Sequence, residues 1–435
     1  MTRRNLTVLV VSLAAGALCF SRAEQNPYAR DASRAYRLID SLSLEDPPDE
    51  ELFAGAVQGM VAVLRARGDE HSAYLPPQMA QSFEAEMSQR FGGVGVRIGL
   101  EGDPPRVVVV EPPLPGTPAY AAGIRQGDTV VAVDGRPTAG RSLEEVVSMT
   151  RGRPGEPVTL TVRHESGGAR RPAEESFLIV REVIRLPSVL GDRRTPEGDW
   201  RFRLEQAPGV ALVRLITFGE QTPGELRAAI DRVLAEGAEA VVLDLRQNPG
   251  GPVGAAIEVA RLFLPEGAPI VSTRGRDGEV LDTAAAAADG PFLGVPLAVL
   301  IDSASASASE IVAAALQDNG RAAVVGARSF GKGTVQTVLP LGPRDASLKL
   351  TSATYWRPSG VNIHRLADTP EGDPWGVSPD EGAAVELTDA QRDAWLAWRR
   401  ERDLAAPSLD APPDAPPPLE ADRALAAAVE RLSSD

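Results

Sequence analysis

The chain has 435 residues, of which 43% are hydrophobic and 24% charged, and these fractions exclude both a mini-scaffold and a chain that is disordered throughout. At about 150 residues per domain, the length predicts roughly three folded units. The formal net charge is −15 and the sequence has no long basic run, which argues against nucleic acid or an anionic membrane as the partner.

The first 23 residues have the pattern of a secretory signal. A basic start, Met1–Arg4, precedes an apolar stretch, Leu6–Phe20, and Ala23 offers a small residue for cleavage. The apolar stretch is shorter than the ~20 residues that a membrane-spanning helix needs, so cleavage is favoured over a permanent anchor. Lipid attachment at Cys19, the single cysteine, is disfavoured by Leu18 in front of it. We therefore expect an exported protein of the periplasm or cell envelope.

Two regions follow with different periodicities. Between residues 24 and 82 apolar side chains recur at helical spacing, which predicts a small helical region. From 83 to 166 short β runs alternate with glycine, which predicts one compact β-rich module. Its predicted elements are strands Val94–Ile98, Val107–Val110, Thr129–Val133 and Val158–Val162 and the helix Leu143–Met149.

Residues 167–387 are predicted to form an α/β unit. A strand pair, Phe177–Val180 with Val210–Ile216, leads into alternating helices and strands, a pattern typical of a largely parallel sheet with both faces covered. The alanine run Ala284–Ala288 is predicted to be loop or helix. The alternating elements are Pro223–Ala235, Ala240–Leu245, Val253–Leu264, Val295–Ile301 and Ser309–Gln317.

The segment 388–435 is predicted to divide into three parts. Thr388–Asp403 has the pattern of an amphipathic helix, and Arg423–Leu432 that of a short second one. Between them Ala405–Leu419 is rich in Pro, Ala and Asp, a composition typical of a linker rather than a core.

A run of alternating serines, Asp302–Glu310, lies between a predicted buried strand and an alanine-rich helix. A hydroxyl at such a turn is exposed, and the N-terminus of the helix behind it presents free N–H groups that suit a developing oxyanion. The alternative is a Ser/Ala linker whose last serine only caps the helix.

Lysine occurs at only two positions, Lys332 and Lys349, among 45 basic residues. Lys332 lies between Gly331 and Gly333, and a desolvated lysine can act as a general base, whereas arginine stays protonated. A phosphate-binding lysine is the rival interpretation, but the glycine-rich run that such a site needs is absent from the sequence. A plain surface lysine is a further alternative.

A third motif, Leu243–Gly251, reads as a strand that ends in a Pro-Gly-Gly turn before a helix. Paired backbone N–H groups in such a turn could complete an oxyanion hole. On its own the motif indicates only a turn.

Together these motifs resemble the carboxy-terminal processing peptidases, which are serine peptidases with a PDZ domain and a serine/lysine catalytic pair. The similarity extends from about Ser72 to Val385 and rests on five ordered segments: Leu243–Gly251, Ser305–Asp318, Ser329–Gln336, Leu348–Thr351 and Gly376–Asp380. The resemblance implies an α/β peptidase core, crotonase-like or ClpP-like, with a mixed, largely parallel sheet, an inserted PDZ domain and a small N-terminal helical region.

The resemblance also implies roles for individual residues. The nucleophile would be Ser307, with Ser305 as the runner-up because the serine repeat blurs the register, and the base would be Lys332. Gln336 would orient the amine and Asp318 would be a supporting carboxylate. The oxyanion donors would be the amides of Ala308 and of Gly250 or Gly251. No metal, cofactor or histidine is required; His364 is expected to be structural.

The module 83–166 resembles the PDZ domain of the same peptidases. Phe91–Val96 would be its carboxylate-binding loop, with a strand from Val94 that pairs with an incoming peptide. Val146, Val147 and Met149 would line a pocket for an apolar C-terminal side chain, and the peptide-binding loop residues would be Gly92, Gly93, Val94, Gly95 and Val96. Arg151 resembles an arginine that couples peptide binding to catalysis in some relatives; a salt-bridged surface arginine is the alternative.

The expected function is therefore tail-specific proteolysis of proteins or peptides with apolar C-termini. A PDZ adaptor on a silent peptidase scaffold is the alternative from another class, and the intact Ser307, Lys332 and Gln336 argue against it. A hydrolase of the β-lactam-binding kind would need Ser-X-X-Lys, but Glu310 stands at that fourth position. The sequence leaves open an activating partner and a homo-oligomer.

Overall fold

The computed structural model describes residues 26–88, 90–113, 116–164, 174–195, 199–342, 345–366, 369–370, 372–404 and 418–434. The predicted signal segment and most of the predicted Pro-rich linker lie outside the described residues. The chain divides into two units, residues 1–78 with 338–350, and residues 79–337 with 351–435. Among the helices described, none combines the length and the apolar character that crossing a membrane requires.

The first unit contains two helices and a short β pairing. Helix α1 (Pro27–Leu42) begins where the Asn26 side chain accepts a hydrogen bond from the amide of Tyr28. Helix α2 (Asp49–Arg65) has three acidic residues in its first turn and an arginine in its last, which complements the helix dipole. Strand β1 (Ala73–Leu75) pairs antiparallel with residues 347–349. Helix α3 (Pro77–Ser88) follows.

The β-rich region of the second unit is one antiparallel sheet around a small apolar core. Two short helices border it, α4 (Pro118–Ala122) and α5 (Leu143–Thr150), the latter held by a capping box of Ser142 and Glu145. The strand order is β3-β4-β5-β7-β8, and β6 pairs with β5. The strands are β3 (Ile98–Glu101), β4 (Arg106–Val109), β5 (Thr129–Val133), β6 (Arg136–Pro137), β7 (Pro157–Arg163) and β8 (Glu174–Val180).

Two predictions for this region are wrong. Strand β8 pairs with β7 along its whole length, from Val180 opposite Pro157 to Glu174 opposite Arg163, so Phe177–Val180 does not pair with Val210–Ile216 and the sheet extends past the predicted boundary at residue 166. Alternating apolar residues indicate a strand but do not identify its partner. The predicted strand Val94–Ile98 also fails, because Gly95 has φ of +85° and interrupts the extended chain. Instead β2 (Arg90–Gly93) pairs with β9 (Glu182–Arg185).

The peptidase-like region is built on a five-stranded sheet in the order β10-β13-β14-β17-β18. The last four strands are parallel, as predicted, and β10 is antiparallel at the edge. These strands are β10 (Val189–Leu190), β13 (Val210–Leu215), β14 (Ala240–Asp244), β17 (Leu297–Ile301) and β18 (Ala323–Gly326). One face packs against helices α6 (Thr222–Ala235), α7 (Val253–Arg261) and α8 (Ala308–Asp318).

A second group of strands accompanies this sheet. Strand β15 (Pro269–Arg274) pairs with β16 (Val280–Ala285) and with the part of β20 (Ala346–Trp356) that follows residue 351. Strand β19 (Thr334–Leu341) also pairs with β20. The prediction of loop or helix for Ala284–Ala288 is wrong at its start, because the first two alanines end β16 and pair with β15. A small ribbon joins β11 (Arg193–Arg194) to β12 (Trp200–Arg201).

The C-terminal segment completes the parallel sheet. Helix α9 (Asp389–Leu404) and the short α10 (Pro418–Ala421) lead to α11 (Arg423–Ser434), which packs its alanines and Leu425 against the second face of the sheet. The Arg246 guanidinium is buried just after β14 and lies between the carboxylates of Asp244 and Asp422, at 2.7 Å from each. The Trp395 ring stacks on the same guanidinium at 4.5 Å. A buried charge cluster thus fastens this segment to β14.

Candidate active site

Three turns meet at one edge of the parallel sheet because they follow three neighbouring parallel strands. The glycine turn (residues 247–252) follows β14, the serine turn (residues 302–307) follows β17, and the lysine loop (residues 327–333) follows β18. In open α/β sheets, ligands bind at the carboxyl ends of the strands. The topology therefore gathers the three sequence motifs at the edge where an active site is expected.

Ser307 occupies a strained position at the start of α8. Its backbone has φ of +56° and ψ of −112°, a region that is sparsely populated for residues other than glycine and costs on the order of 1–3 kcal/mol. Strain of this kind is retained where the surrounding contacts enforce it, as at sharp strand-to-helix turns that present a nucleophile. Among the serines of the repeat, Ser307 alone has a positive φ.

The runner-up, Ser305, is used as a structural residue. It is fully buried, and its hydroxyl donates to the Leu245 carbonyl at 2.9 Å while it accepts from the Asp302 amide at 2.9 Å. Ser309 is also buried and donates to the Asn248 carbonyl. The hydroxyls on either side of Ser307 therefore join the serine turn to neighbouring backbone.

Asn248 holds the glycine turn and the serine turn together. Its side-chain NH₂ donates to the Leu215 carbonyl at 2.6 Å, its side-chain oxygen accepts from the Gly250 amide at 2.9 Å, and its backbone carbonyl accepts from the Ala306 amide at 3.0 Å. Because the Gly250 amide is engaged in this way, Gly251 is the better candidate of the two glycines for an oxyanion donor.

Gly250 lies directly against the candidate nucleophile. A Cβ atom at this position would come within 2.8 Å of the Ser307 Cβ and within 2.9 Å of the Ala308 nitrogen. The backbone of Gly250 also has φ of +100°, which side chains rarely tolerate. The residue is thus required both for its conformation and for the close approach of the two turns.

Glu310 connects the serine turn to the lysine loop. Its side chain is fully buried, and its Oε2 accepts from the amides of Ser307 at 2.8 Å and Lys332 at 2.9 Å. Its Oε1 accepts from the Ser329 hydroxyl at 2.6 Å and the Gly331 amide at 2.7 Å. Burial raises the pKa of Glu310 to about 7, although these four hydrogen bonds act in the opposite direction.

The remaining predicted residues lie in two places. The Lys332 side chain is half-buried in the lysine loop, and the Gln336 amide, at the start of β19, donates to the Thr334 hydroxyl at 2.8 Å. Asp318 lies at the opposite end of α8 from Ser307. It accepts hydrogen bonds from the Arg357 guanidinium and the Ser359 amide, so its role as a support for the lysine amine is not favoured by the structure.

His364 lies beside the lysine loop as a packing residue. A Cβ on Gly333 would come within 2.1 Å of the His364 backbone nitrogen, and that nitrogen donates to the Asn362 side chain. Burial lowers the pKa of the His364 ring, partly offset by a hydrogen bond with the Gly331 backbone. The structure places its backbone in contact with Gly333.

A cavity of about 620 Å³ lies between the edge of the PDZ-like sheet and the peptidase-like region. It begins at the predicted carboxylate-binding loop and extends to Thr217, whose hydroxyl donates to the Gly250 carbonyl at 3.3 Å. Its apolar lining includes Val94, Val96, Ile98, Val147, Ile184, Leu186, Leu190, Trp200 and Ile216, and its basic lining includes Arg97, Arg151 and Arg194.

The cavity corrects several details of the predicted peptide site. Val146 is fully buried in the core of the β-rich region and Met149 packs against that core, whereas Val147 and Thr150 of the same helix line the cavity. Gly92 faces the turn after α5, where its carbonyl accepts from the Gly152 amide. Helix periodicity did not show which side of this short helix faces the cavity.

Arg151 lies at the mouth of the cavity, where its guanidinium stacks over the Phe91 ring at 5.0 Å. The side chain is exposed and connects α5 with the carboxylate-binding loop. This contact differs from the surface salt bridge weighed for it as an alternative.

Comparisons with known proteins identify the family of this chain. Residues 209–382 match peptidase family S41 and residues 109–164 match a PDZ domain. A carboxy-terminal-processing protease of Bartonella bacilliformis is 37% identical over 355 residues, which cover 80% of this chain and 76% of that protein. The chain belongs to peptidase family S41. It is a PDZ-containing serine endopeptidase of the carboxy-terminal processing family. The family predicted from the sequence motifs is thus confirmed.

Further relatives extend the comparison. A carboxyl-terminal-processing protease of a Picosynechococcus species is 36% identical over 351 residues, covering 80% of this chain and 78% of that protein. Among solved structures, the photosystem II D1 C-terminal processing protease matches with 28% identity and a TM-score of 0.43, covering 82% of this chain and 92% of that one.

Sequence reasoning missed three residues that the site depends on: Asn248, Glu310 and Ser329. Glu310 had a signal, because Ser307 and Glu310 have the Ser-X-X-Glu spacing of a capping box, in which the glutamate returns to the amide at the start of the helix. Asn248 had no specific signal, because asparagine before a Pro-Gly-Gly turn is compatible with many structural roles. Ser329 had no distinguishing signal, because its partners come from α8 and from residue 377.

Proposed function

We propose that this peptidase holds the C-terminal tail of a protein substrate in its PDZ groove and cuts the chain upstream with Ser307 and Lys332. One observation carries the proposal: the backbone amides of Ser307 and Lys332 donate to the same oxygen of Glu310, at 2.8 and 2.9 Å. The two nitrogens are therefore separated by no more than the sum of these distances. Nucleophile and base belong to loops that are fastened together.

The chemistry follows from the residue types. A neutral Lys332 amine takes the proton of the Ser307 hydroxyl as the serine oxygen attacks a peptide carbonyl. The amides of Gly251 and Ala308 stabilise the oxyanion of the tetrahedral intermediate. The lysine ammonium then returns its proton to the leaving amine, and water hydrolyses the acyl-enzyme. Gln336 is the proposed partner that orients the amine.

Tail recognition is supported by the composition of the cavity. Its apolar walls suit the side chains of an apolar C-terminus, and Arg151 and Arg194 supply positive charge for a terminal carboxylate. Arg97 is paired with Glu111 at 2.8 Å, and Asp403 also lines the cavity. Among the strands that the structure describes, β3 lies at the edge of its sheet and pairs only with β4, so its other side is available to a peptide strand. The proposed substrates are therefore proteins or peptides that end in apolar residues.

Two broader features belong to the same proposal. The core is assigned to a crotonase-like or ClpP-like α/β architecture on the basis of its parallel sheet with helices on both faces. Export to the periplasm or cell envelope is supported by the signal-like pattern of residues 1–23.

The test uses an unstructured peptide that ends in three apolar residues, with the products identified by mass spectrometry. The wild-type protein should shorten the peptide, whereas Ser307→Ala and Lys332→Ala should reduce the rate by at least about 10³-fold. Binding of the tail, measured by fluorescence anisotropy, should survive in both variants. Lys332→Arg is the matched control for charge, and it should be as inactive as Lys332→Ala because arginine stays protonated.

Two results would contradict the proposal. Undiminished cutting by Ser307→Ala together with an inactive Ser305→Ala variant would move the nucleophile to the other serine. Binding of the tail by the wild-type protein with no product formed would favour the adaptor interpretation.

A further inference from the structure

Glu310 is a buried acid that the serine/lysine mechanism does not use, and it lies between the two loops that carry the mechanism. Each oxygen of its carboxylate accepts two hydrogen bonds. An ionised carboxylate offers about four acceptor positions, so the four donors occupy all of them. A protonated carboxyl group would bring its own O–H and lose at least one of these bonds.

The four donors come from both sides of the proposed active site. The Ser307 amide belongs to the serine turn, whereas the amides of Gly331 and Lys332 and the hydroxyl of Ser329 belong to the lysine loop. Gly376 covers the group from a further side, since a Cβ there would lie 3.2 Å from Glu310 Oε1 and 2.7 Å from Ser329 Oγ. Water is thus kept away from a carboxylate that spans the two loops.

We propose that Glu310 is a positioning residue, whose ionised carboxylate sets the distance between Ser307 and Lys332 and makes the enzyme active only when it is deprotonated. The inference rests on the proposed serine/lysine function and adds a regulatory acid to it. Glu310 itself does not touch the reacting atoms.

The opposite effects of pH on activity and stability follow from burial. Burial raises the pKa of Glu310 from 4.5 to about 7, so between these values the folded protein holds a proton that the unfolded chain has released. The contribution of Glu310 to stability therefore falls as pH rises through this interval. Activity rises over the same interval, because the ionised form holds all four donors.

Other charged groups surround the site and have to be separated from Glu310 in any pH experiment. His364 and Arg365 approach the lysine loop from the segment after β20, Arg357 donates to the Gly376 carbonyl, and Asp302 lies on the serine turn. The groups to be considered are Arg328 and Lys332 on the loop itself and Asp302, Arg357, His364 and Arg365 on the neighbouring segments.

The first experiment measures kcat and KM of the purified protein from pH 5 to 9 with an internally quenched peptide that ends in three apolar residues. Wild-type kcat should rise with a midpoint near pH 7. Glu310→Gln should lower kcat by about 10²-fold, as expected for a misplaced catalytic pair, with little change in KM. It should also remove the step near pH 7, whereas the requirement for a neutral Lys332 is common to both enzymes. Glu310→Asp should recover part of kcat, since it restores the carboxylate at a shorter reach.

The second experiment keeps Glu310 and changes one of its donors. Ser329→Ala removes a hydrogen bond that favours the ionised form, so the midpoint should move upward by about one pH unit. Ser309→Ala is the matched control, because Ser309 is a buried serine that donates to the Asn248 carbonyl rather than to Glu310. Whatever its effect on the rate, it should leave the midpoint in place. If Glu310→Gln does not fold, Ser329→Ala and Ser309→Ala together still test the role of Glu310.

The outcomes separate this inference from the proposed function. A Glu310→Gln enzyme with the kcat of the wild type, or a Ser329→Ala enzyme with an unchanged midpoint, would contradict the role of Glu310. If Ser307→Ala is inactive at the same time, the serine/lysine mechanism is still supported. Undiminished cutting by Ser307→Ala would remove the mechanism itself.

Discussion

The proposed catalytic turns of this peptidase and the proposed peptide groove at its PDZ domain are built in opposite ways. At the turns the polar groups satisfy one another: Asn248, Ser305 and Glu310 are fully buried, and each forms hydrogen bonds with neighbouring segments. The groove is a cavity with apolar walls and exposed arginines at its mouth. The hydrogen bonds of the turns fix the positions of individual atoms, whereas the groove binds through the shape of its apolar walls. Substitutions in the turns should therefore change kcat, and substitutions in the groove should change KM.

The strongest test of this contrast is Gly250→Ala. The new Cβ would lie 2.7 Å from the Ala306 carbonyl oxygen and 2.8 Å from the Ser307 Cβ, so the two turns have to separate. We expect kcat to fall by at least about 10²-fold with tail binding unchanged. The matched control is Gly254→Ala, where a Cβ meets open space on α7 and should raise stability by about 0.5–1 kcal/mol. Equal activity of the two variants would contradict the claim that the glycine turn and the serine turn are held at a fixed separation.

The Arg246→Met variant tests whether the glycine turn depends on the C-terminal segment for its rigidity. Removal of the guanidinium leaves Asp244 and Asp422 buried and uncompensated, and we expect the free energy of unfolding in urea to fall by about 3–5 kcal/mol. Arg227→Ala, which breaks an exposed ion pair with Asp231, is the control and should change it by less than about 1 kcal/mol. A small change in the free energy of unfolding of Arg246→Met would show that the glycine turn does not depend on the C-terminal segment.

Asp318→Asn tests whether the far end of α8 belongs to the catalytic region. Burial works to raise the pKa of Asp318, but hydrogen bonds and charge from Arg357, with the Ser359 amide, hold it below its usual value. Its contribution to stability is therefore present above about pH 4 and lost as pH falls through the lowered pKa. The variant should lose about 1–3 kcal/mol at neutral pH and keep its kcat. A selective loss of kcat would restore the predicted supporting role.

The smallest effect is expected in the groove. Val147→Thr places a hydroxyl in the apolar wall and should raise KM about three- to tenfold, which corresponds to roughly 1 kcal/mol, without a change in kcat. Leu178→Thr on the exposed face of β8 is the matched control and should leave both constants unchanged. An effect on kcat alone would show that the groove acts on the catalytic turns rather than on affinity.

The sequence predicted the parts of this structure that depend on local pattern. The alternation of strands and helices from Val210 onward predicted the parallel sheet. The turns that contain Gly251, Ser307 and Lys332 follow three neighbouring strands of that sheet. Strand β8 was misassigned because its alternating pattern fits either of two sheets.

The network inside the site could not be predicted in the same way. Glu310 was visible only as a possible helix cap, and its contacts with the lysine loop join residues that are 19 to 22 positions apart. Asp318 was expected near the lysine, yet it follows Glu310 by two turns of helix and points to Arg357. Hydrogen bonds of this kind depend on tertiary packing, which residue types and spacing do not specify.

The way α11 closes the parallel sheet has a consequence for biosynthesis. The second face of β14, β17 and β18 is covered by residues 424–428, and the charge of Arg246 is matched by Asp422. All of these residues emerge from the ribosome after the serine turn and the lysine loop. A nascent chain therefore carries its complete reactive machinery before it can finish its core. Residues 422–428 must therefore be synthesised and docked before the serine turn and the lysine loop rest on a complete core.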